Sequence, residues 1–218
     1  MYDLDQAIKE RYSTRKFLSQ PVPRALLDQA LALAQLAPSN SNTQPWQMVF
    51  AEGARRECLQ EALLKQAKLM PPTLSVTPLP EALQHHRREL GRQVYGSMGI
   101  ARDDQKSRML AVMRNYEFFG APTVGIVCMH KDLGFADALG VGMYLQTLVL
   151  CLTAHGIGTC VQVSLAAYPE IIRDELNIPP ELLIICGLAV GYSDPDFPTN
   201  NLHISRDPVE KNVSFLYK

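Results

Sequence analysis

Apolar residues recur at helical spacing twice near the start of the chain. Leu4 and Ile8, followed by Arg11 and Tyr12, fit a short opening helix. RALLDQALALAQLA then keeps the period through Leu26, Leu27, Ala30, Leu33, Ala34 and Ala37 until Pro38 stops it. WQMVFA, residues 46–51, reads as a strand, and residues 55–70 return to a helical mixture. PPTLSVTPLP holds four prolines in ten residues and predicts an extended crossing segment, after which helix resumes near Glu81. Residues 103–115 mix charged and apolar positions at helical spacing. FFGAP turns the chain into TVGIVCM, residues 123–129, a β-branched run suited to a central strand. A long helix over about 137–155, closed by Gly156, a short helix around 169–176 and a strand at LLIICGLAVGY, residues 182–192, follow. The tail ends on the apolar alternation Val213, Phe215, Tyr217. Several helices separating few strands predict an α+β sandwich, with residues 1–218 as a single domain.

Composition narrows the partners. The chain has 218 residues, 47% hydrophobic and 20% charged, enough for a substantial core. A formal net charge of -1, with no basic stripe interleaved with aromatics, points away from nucleic acid and anionic membranes and toward small molecules. The N-terminus carries charges throughout and lacks a secretory apolar core, so a cytoplasmic location is expected. The most apolar run, residues 138–154, falls short of a bilayer span and reads as a buried helix. Five cysteines form no CxxC pair and read as buried free thiols, while the histidines lack zinc spacing and His85-His86 reads as a solvated face, so no metal site is expected.

Four stretches carry candidate chemistry. In RYSTR, Arg11, Ser13 and Arg15 alternate; an extended backbone would gather two guanidinium forks and a hydroxyl around a phosphate, whereas a helical one would leave a basic C-terminus and a solvated turn. In APSNSNTQPW, Ser39, Asn40, Asn42 and Gln44 either satisfy the orphan carbonyls at a helix end or offer donors and acceptors to a flat heteroaromatic ring, with Trp46 packed beneath. GIGTCVQV is not GxGxxG; its glycines either end the helix or allow a close backbone approach before a half-apolar strand. Arg206 lies in a tail loop before Asp207-Pro208.

Together, in this order, these stretches resemble the nitroreductase family of flavin mononucleotide (FMN) enzymes. RYSTRKF is similar to that family's R-x-S-x-R-x-F opening, APSNSNTQPW to its A-P-S-x-x-N-x-Q-P-W loop, GIGTC to its post-helix turn, and VGYSD with SRDPVEKNV to its closing pattern. The resemblance covers nearly the whole chain, and LGRQVYGSMGIARDD with RNYEFFGAP is similar to a branch reducing nitroaromatics such as nitrobenzoates.

The resemblance implies a central mixed sheet flanked by helices in an interlocked homodimer, with FMN bound and NADPH or NADH as reductant. Arg11, Ser13 and Arg15 would hold the flavin phosphate and ribityl end, with Arg206 closing on the same phosphate. Pro38, Ser39, Asn40, Asn42 and Gln44 would meet the flavin from the partner subunit. Val161, Gln162 and Val163 would line one ring face, in a strand where some members carry an acidic residue, and the long helix would be dimer core. Met109, Met113, Tyr116, Phe118 and Phe119 read either as core packing or as a soft wall over the ring.

The implied reaction is a ping-pong hydride transfer through flavin N5 from NAD(P)H to a nitroaromatic acceptor, with no catalytic side chain; no Ser/His/Asp or Cys/His constellation calls for a nucleophile. Enones, quinones, free flavin and halogenated phenols are alternative acceptors on the same fold. A flavin-binding protein without turnover, or a chain with no cofactor at all, are the alternatives of a different class.

Overall fold

The computed structural model describes residues 1–71 and 79–217. The chain opens with α1 (Leu4–Glu10) and α2 (Arg24–Ala34), then β1 (Gln47–Glu52) and α3 (Gly53–Leu69). The crossing segment expected from its prolines lies largely outside the described residues. Beyond it come α4 (Gln84–Ser97), α5 (Gln105–Met113), β2 (Thr123–His130), α6 (Phe135–Ala154), β3 (Gly158–Gln162), α7 (Pro169–Leu176) and β4 (Leu182–Gly191).

The strands lie in the order β1-β2-β4-β3, and all three ladders are antiparallel. Among the described residues the sheet is mixed only at its edge, where Ser13 makes an isolated parallel bridge to Thr159 of β3. β2 is buried along nearly its whole length because helices cover both faces. On one face Val124 and Ile126 share a core with Leu59 and Leu63 of α3 and Ile172 of α7. On the other, Val127 and Leu188 join Leu27 and Ala30 of α2 with Tyr144, Leu148 and Leu152 of α6.

A bulge in β4 decides which of its side chains meets which layer. Val127 pairs with Cys186 and Cys128 with Ile184, so Ile185 is the extra residue. Before it, Leu182 and Ile184 face the α3/α7 layer; after it, Cys186, Leu188 and Val190 face the α2/α6 layer. One inserted residue thus switches the even-numbered positions from one face to the other.

α6 departs from the fully buried helix that its composition predicts. Val141, Tyr144, Leu148 and Leu152 are buried, but Phe135 and Leu139 stand 90% and 60% exposed on the opposite side. It has the length and hydropathy of a membrane span, yet one side packs on α1, α2 and β3. The cysteines depart as well: Cys128, Cys160 and Cys186 are buried thiols, whereas Cys58 is exposed and Cys151 half-buried. α3 is amphipathic enough to hide Leu59 and Leu63 but leaves Cys58 on its outer side.

Candidate active site

α1 stops at Glu10, and Arg11 already has extended backbone angles, φ -66° and ψ 123°. The following residues run along the outer edge of β3, tied by the Ser13–Thr159 bridge and by the Thr14 N–H donating to the Thr159 carbonyl at 2.9 Å. This approach needs glycine: a Cβ at Gly158 would stand 2.6 Å from Thr14 Oγ1 and 3.3 Å from the Gly191 carbonyl oxygen. Thr14 turns inward and is buried, which leaves Arg11, Ser13 and Arg15 on the other side.

All three line one cleft of about 730 Å³, and Arg206, almost two hundred residues away in the chain, lines the same cleft. Burial, and then the charge of Arg206, hold the Arg11 guanidinium below its ordinary pKa. Two like charges in a partly buried cleft repel, and an anion between them would turn that cost into attraction. The arrangement fits a phosphate.

The amide-rich loop stands apart from this cleft. Asn40–Asn42 form a short 3-10 turn, and Ser41, Asn42 and Gln44 adopt left-handed φ values of 50°, 56° and 47°. Ser39 Oγ accepts the Gln44 N–H at 2.9 Å, and Gln44 Nε2 donates to the Asn42 carbonyl at 3.3 Å. The base of the loop is rigid: Trp46 stacks on Tyr144 with centroids 4.9 Å apart and donates Nε1–H to Gln35 Oε1 at 3.0 Å. Gly140 of α6 lets the loop close in, since a Cβ there would meet Ser39 Cβ at 3.1 Å. Pro38, Asn40, Asn42 and Gln44 are exposed, Ser39 is half-buried, and none of the five lines the arginine cleft of its own chain.

β3 supplies a second, smaller cavity of about 260 Å³, whose wall includes Val161, Cys160, Arg15 and Phe119. Burial pushes the Cys160 thiol up to about 11, with Arg15 and Arg11 opposing. Val163 is exposed, but Gln162 is buried, its Nε2 donating to the Asn115 carbonyl at 2.8 Å and its Oε1 without a hydrogen-bond partner among the described residues. The Gln162 side chain therefore braces α5's end rather than facing an open surface.

The aromatic and methionine positions divide. Tyr116 and Phe118 are fully buried in the α3/α7 core, so for these two core packing is the outcome and a wall over a ring is not. Phe119 lines the smaller cavity, Met113 packs against the core and Met109 is half-exposed. The turn that separates them is strained, with φ of 54° at Phe118 and 55° at Phe119.

Two residues that no local pattern marks complete the site. Asn200 Oδ1 accepts the Arg15 N–H at 2.7 Å, and its Nδ2 donates to the Lys16 and Asp194 carbonyls. Arg114 Nη2 donates to the Arg15 carbonyl at 2.6 Å. His86 and Asp207, which line the cleft, and His85 beside them bring ligand atoms within 4.8 Å of one another, a grouping that their spacing in sequence does not show.

Comparison with known proteins identifies the family. The nitroreductase family profile matches residues 8–192. A 4-nitrobenzoate reductase of Pseudomonas putida is 34% identical, covering 98% of this chain and 96% of that one. The crystal structure of the FMN and NADPH-dependent nitroreductase NfnB from sphigopyxis sp. strain HMH superposes with a TM-score of 0.95 at 31% identity, covering all of both chains. That of FMN-dependent NfnB from Mycobacterium smegmatis in complex with NADPH gives 0.93 at 33% identity, covering 99% of this chain and 100% of that one. With motifs, fold and full-length similarity in agreement, the chain belongs to the nitroreductase family.

Proposed function

We propose that the protein is an FMN-dependent NAD(P)H oxidoreductase that reduces nitroaromatic acceptors, with residues 1–218 acting as one FMN-binding domain. The observation that carries this reading is the convergence of Arg11, Ser13, Arg15 and Arg206 on one cleft, where burial and then the charge of Arg206 disfavour the charged form of Arg11. The relatives named as nitrobenzoate and FMN- and NADPH-dependent nitroreductases supply the acceptor and reductant classes.

The residues divide the work of holding the cofactor. Arg11, Ser13 and Arg206 take the phosphate, Arg15 reaches from the phosphate cleft into the smaller cavity, and Val161, in the wall of that cavity, borders the ring together with the exposed Val163. FMN, when bound, supplies a hydride-accepting and hydride-donating centre at N5, so NAD(P)H and acceptor alternate at one place in a ping-pong cycle. Val161 and Phe119 give the smaller cavity apolar walls that exclude water from the ring.

Pro38, Ser39, Asn40, Asn42 and Gln44 serve the flavin of a partner subunit in a homodimer. Their exposure, and their separation from the cleft of their own chain, support that assignment. The exposed apolar side of α6, with Phe135 and Leu139, supplies an interface.

The test is the visible spectrum of the purified protein, without oxygen, through successive additions of NADPH or NADH and a nitrobenzoate. A flavin band that bleaches with the nicotinamide and returns with the nitroarene is the expected result. A band that bleaches but returns only with an enone, quinone, free flavin or halogenated phenol replaces the acceptor. Failure to take up FMN overturns the reading.

A further inference from the structure

The tail that carries Arg206 meets the rest of the chain at one polar point. Among the described residues, the backbone N–H groups of Lys211, Asn212 and Val213 donate only within the tail. Arg206 Nη1 turns back to the Ile204 and Ser205 carbonyls at 2.7 and 3.2 Å, and Lys211 Nζ stands 3.8 Å from Asp207 Oδ1. The polar contact that crosses to another element joins Asp207 Oδ2 to His86 Nε2, 3.5 Å away at the start of α4.

That separation is long for a hydrogen bond and suits two ligands of one metal ion. N–H···O bonds run about 2.7–3.2 Å. Ligand atoms each about 2.0–2.2 Å from a tetrahedral zinc-class ion stand roughly 3.3–3.6 Å apart. His85 offers a third ligand. Adjacent residues on a regular helix point apart, but His85 and His86 sit where the turn Glu81–Leu83 runs into α4, and their ring centroids are 3.9 Å from each other. The ligand atoms of His85, His86 and Asp207 all lie within 4.8 Å. Both imidazoles are exposed and Asp207 is half-buried, so rotation of the side chains closes the remaining distance. Lys211 engages Oδ1 and leaves Oδ2 to the group.

The ligand types choose the ion. Calcium and magnesium take oxygen sets, and Cu(I) prefers sulfur, whereas two imidazoles with one carboxylate suit Zn²⁺, Ni²⁺ or Cu²⁺. Three protein ligands leave a further coordination position for water.

We propose that His85, His86 and Asp207 form a site for a divalent cation of the zinc class, which clamps the tail onto α4. Arg206 adjoins a ligand, so the clamp holds it in the cleft and tightens the grip on the phosphate. The metal site stands on the three side chains; its effect on the cofactor rests on the FMN reading above. Arg11, Arg15 and Arg206 line the same cleft as His86 and Asp207, and their charge opposes a cation until a phosphate offsets it. Cation and phosphate therefore favour each other. By linkage, the factor by which Zn²⁺ tightens FMN equals the factor by which FMN tightens Zn²⁺.

The test is a calorimetric titration of Zn²⁺ into the full chain, stripped with EDTA and freed of chelator, with and without FMN. One Zn²⁺ per chain is expected, bound more tightly with FMN present. His85→Ala, His86→Ala and Asp207→Ala should each weaken binding about tenfold or more. His130→Ala, which breaks a His–Asp pair of 3.7 Å elsewhere, should leave the titration unchanged. Release of FMN, followed by flavin fluorescence, should slow several-fold with Zn²⁺ in the parent and not in His86→Ala. A parent that takes up no Zn²⁺ overturns the site, as does binding that survives in all three variants. Zn²⁺ that binds as expected but leaves FMN release unaltered overturns the clamp. A chain that takes up no FMN removes the oxidoreductase reading and the clamp's effect with it, whereas the titration of the FMN-free chain decides the metal site on its own.

Discussion

The side chain of Asn200 and the backbone of Arg15, 185 residues apart in sequence, meet at 2.7 Å. Asn200 is 3% exposed and also donates to the Lys16 and Asp194 carbonyls, so one amide fixes both the binding motif and the loop after β4. Asn200→Ala leaves buried polar groups unpaired, at a cost of about 1–3 kcal/mol. The expected result is a fall in Tm of several degrees together with weaker FMN retention, read by thermal melts and by FMN titration. Asn200→Asp should be no better, because its carboxylate would face two carbonyl acceptors.

Arg206 and Arg11 should separate phosphate binding from flavin binding. If Arg206 holds the phosphate as proposed, Arg206→Ala removes a charge-assisted contact and is expected to weaken FMN about 10–100-fold. Riboflavin, which lacks the phosphate, should bind parent and variant alike. In the apo form the variant should melt no lower than the parent, since burial, the larger cause of the lowered Arg11 pKa, is unchanged and the repulsion from Arg206 that adds to it has been relieved. Equal losses for FMN and riboflavin would place Arg206 elsewhere on the ligand.

The edge of β3 gives a test of how the motif is docked. Gly158→Ala puts a methyl group 2.6 Å from Thr14 Oγ1 and should destabilise by about 1–3 kcal/mol through overpacking. Thr14 Oγ1 is buried without a hydrogen-bond partner among the described residues, so Thr14→Ala alone should cost little. The double variant should recover most of the loss, a non-additivity that denaturant melts of the four proteins would measure.

Short-range features of this fold were legible in the sequence, and long-range ones were not. The helix Pro169–Leu176 coincides with its expected bounds, because Pro169 starts it and Asn177, in a left-handed conformation, ends it. α6 begins two residues earlier than its periodicity suggests, since Asp137 Oδ2 accepts the Gly134 N–H and caps the first turn. The bulge at Ile185 was hidden because LLIIC is apolar at every position, so no alternation marks which face each residue takes. The alternation in RYSTR is enough to expect Arg11, Ser13 and Arg15 on one side, and they line one cleft, whereas Asn200 and Arg114 act on Arg15 from remote segments. A basic residue ending α5 reads as a partner of the helix dipole, with nothing to show that its guanidinium reaches another chain segment.

Three buried thiols give the fold an alkaline limit. Burial pushes Cys128 and Cys160 up to about 11 and Cys186 up to about 12. In the unfolded chain these thiols ionise near their ordinary value, while the folded protein keeps them protonated. The unfolded state therefore binds fewer protons above about pH 9, and stability falls with rising pH until the folded thiols ionise as well. Tm is expected to drop steadily from pH 9 to 11, and the drop should be smaller in Cys186→Ala after correction for its lower starting stability. A flat profile over that range would contradict the buried-thiol account.

The exposed side of α6 allows a test of whether assembly and cofactor binding are linked. Phe135 is 90% and Leu139 60% exposed, and the tail residues Phe215, Leu216 and Tyr217 also face outward. Leu139→Lys places a charge in the middle of that surface without touching Val141, Tyr144 or Leu148 on the buried side. If two chains meet there, the variant should shift toward monomer in sedimentation and lose FMN affinity, because the loop of Ser39, Asn40, Asn42 and Gln44 would no longer reach the partner's flavin. Its secondary structure should persist, since the helix keeps its own core contacts. A variant that stays dimeric places the interface elsewhere. One that turns monomeric yet holds FMN as tightly as the parent removes the loop from the site and leaves the four residues of the arginine cleft to hold the cofactor within a single chain.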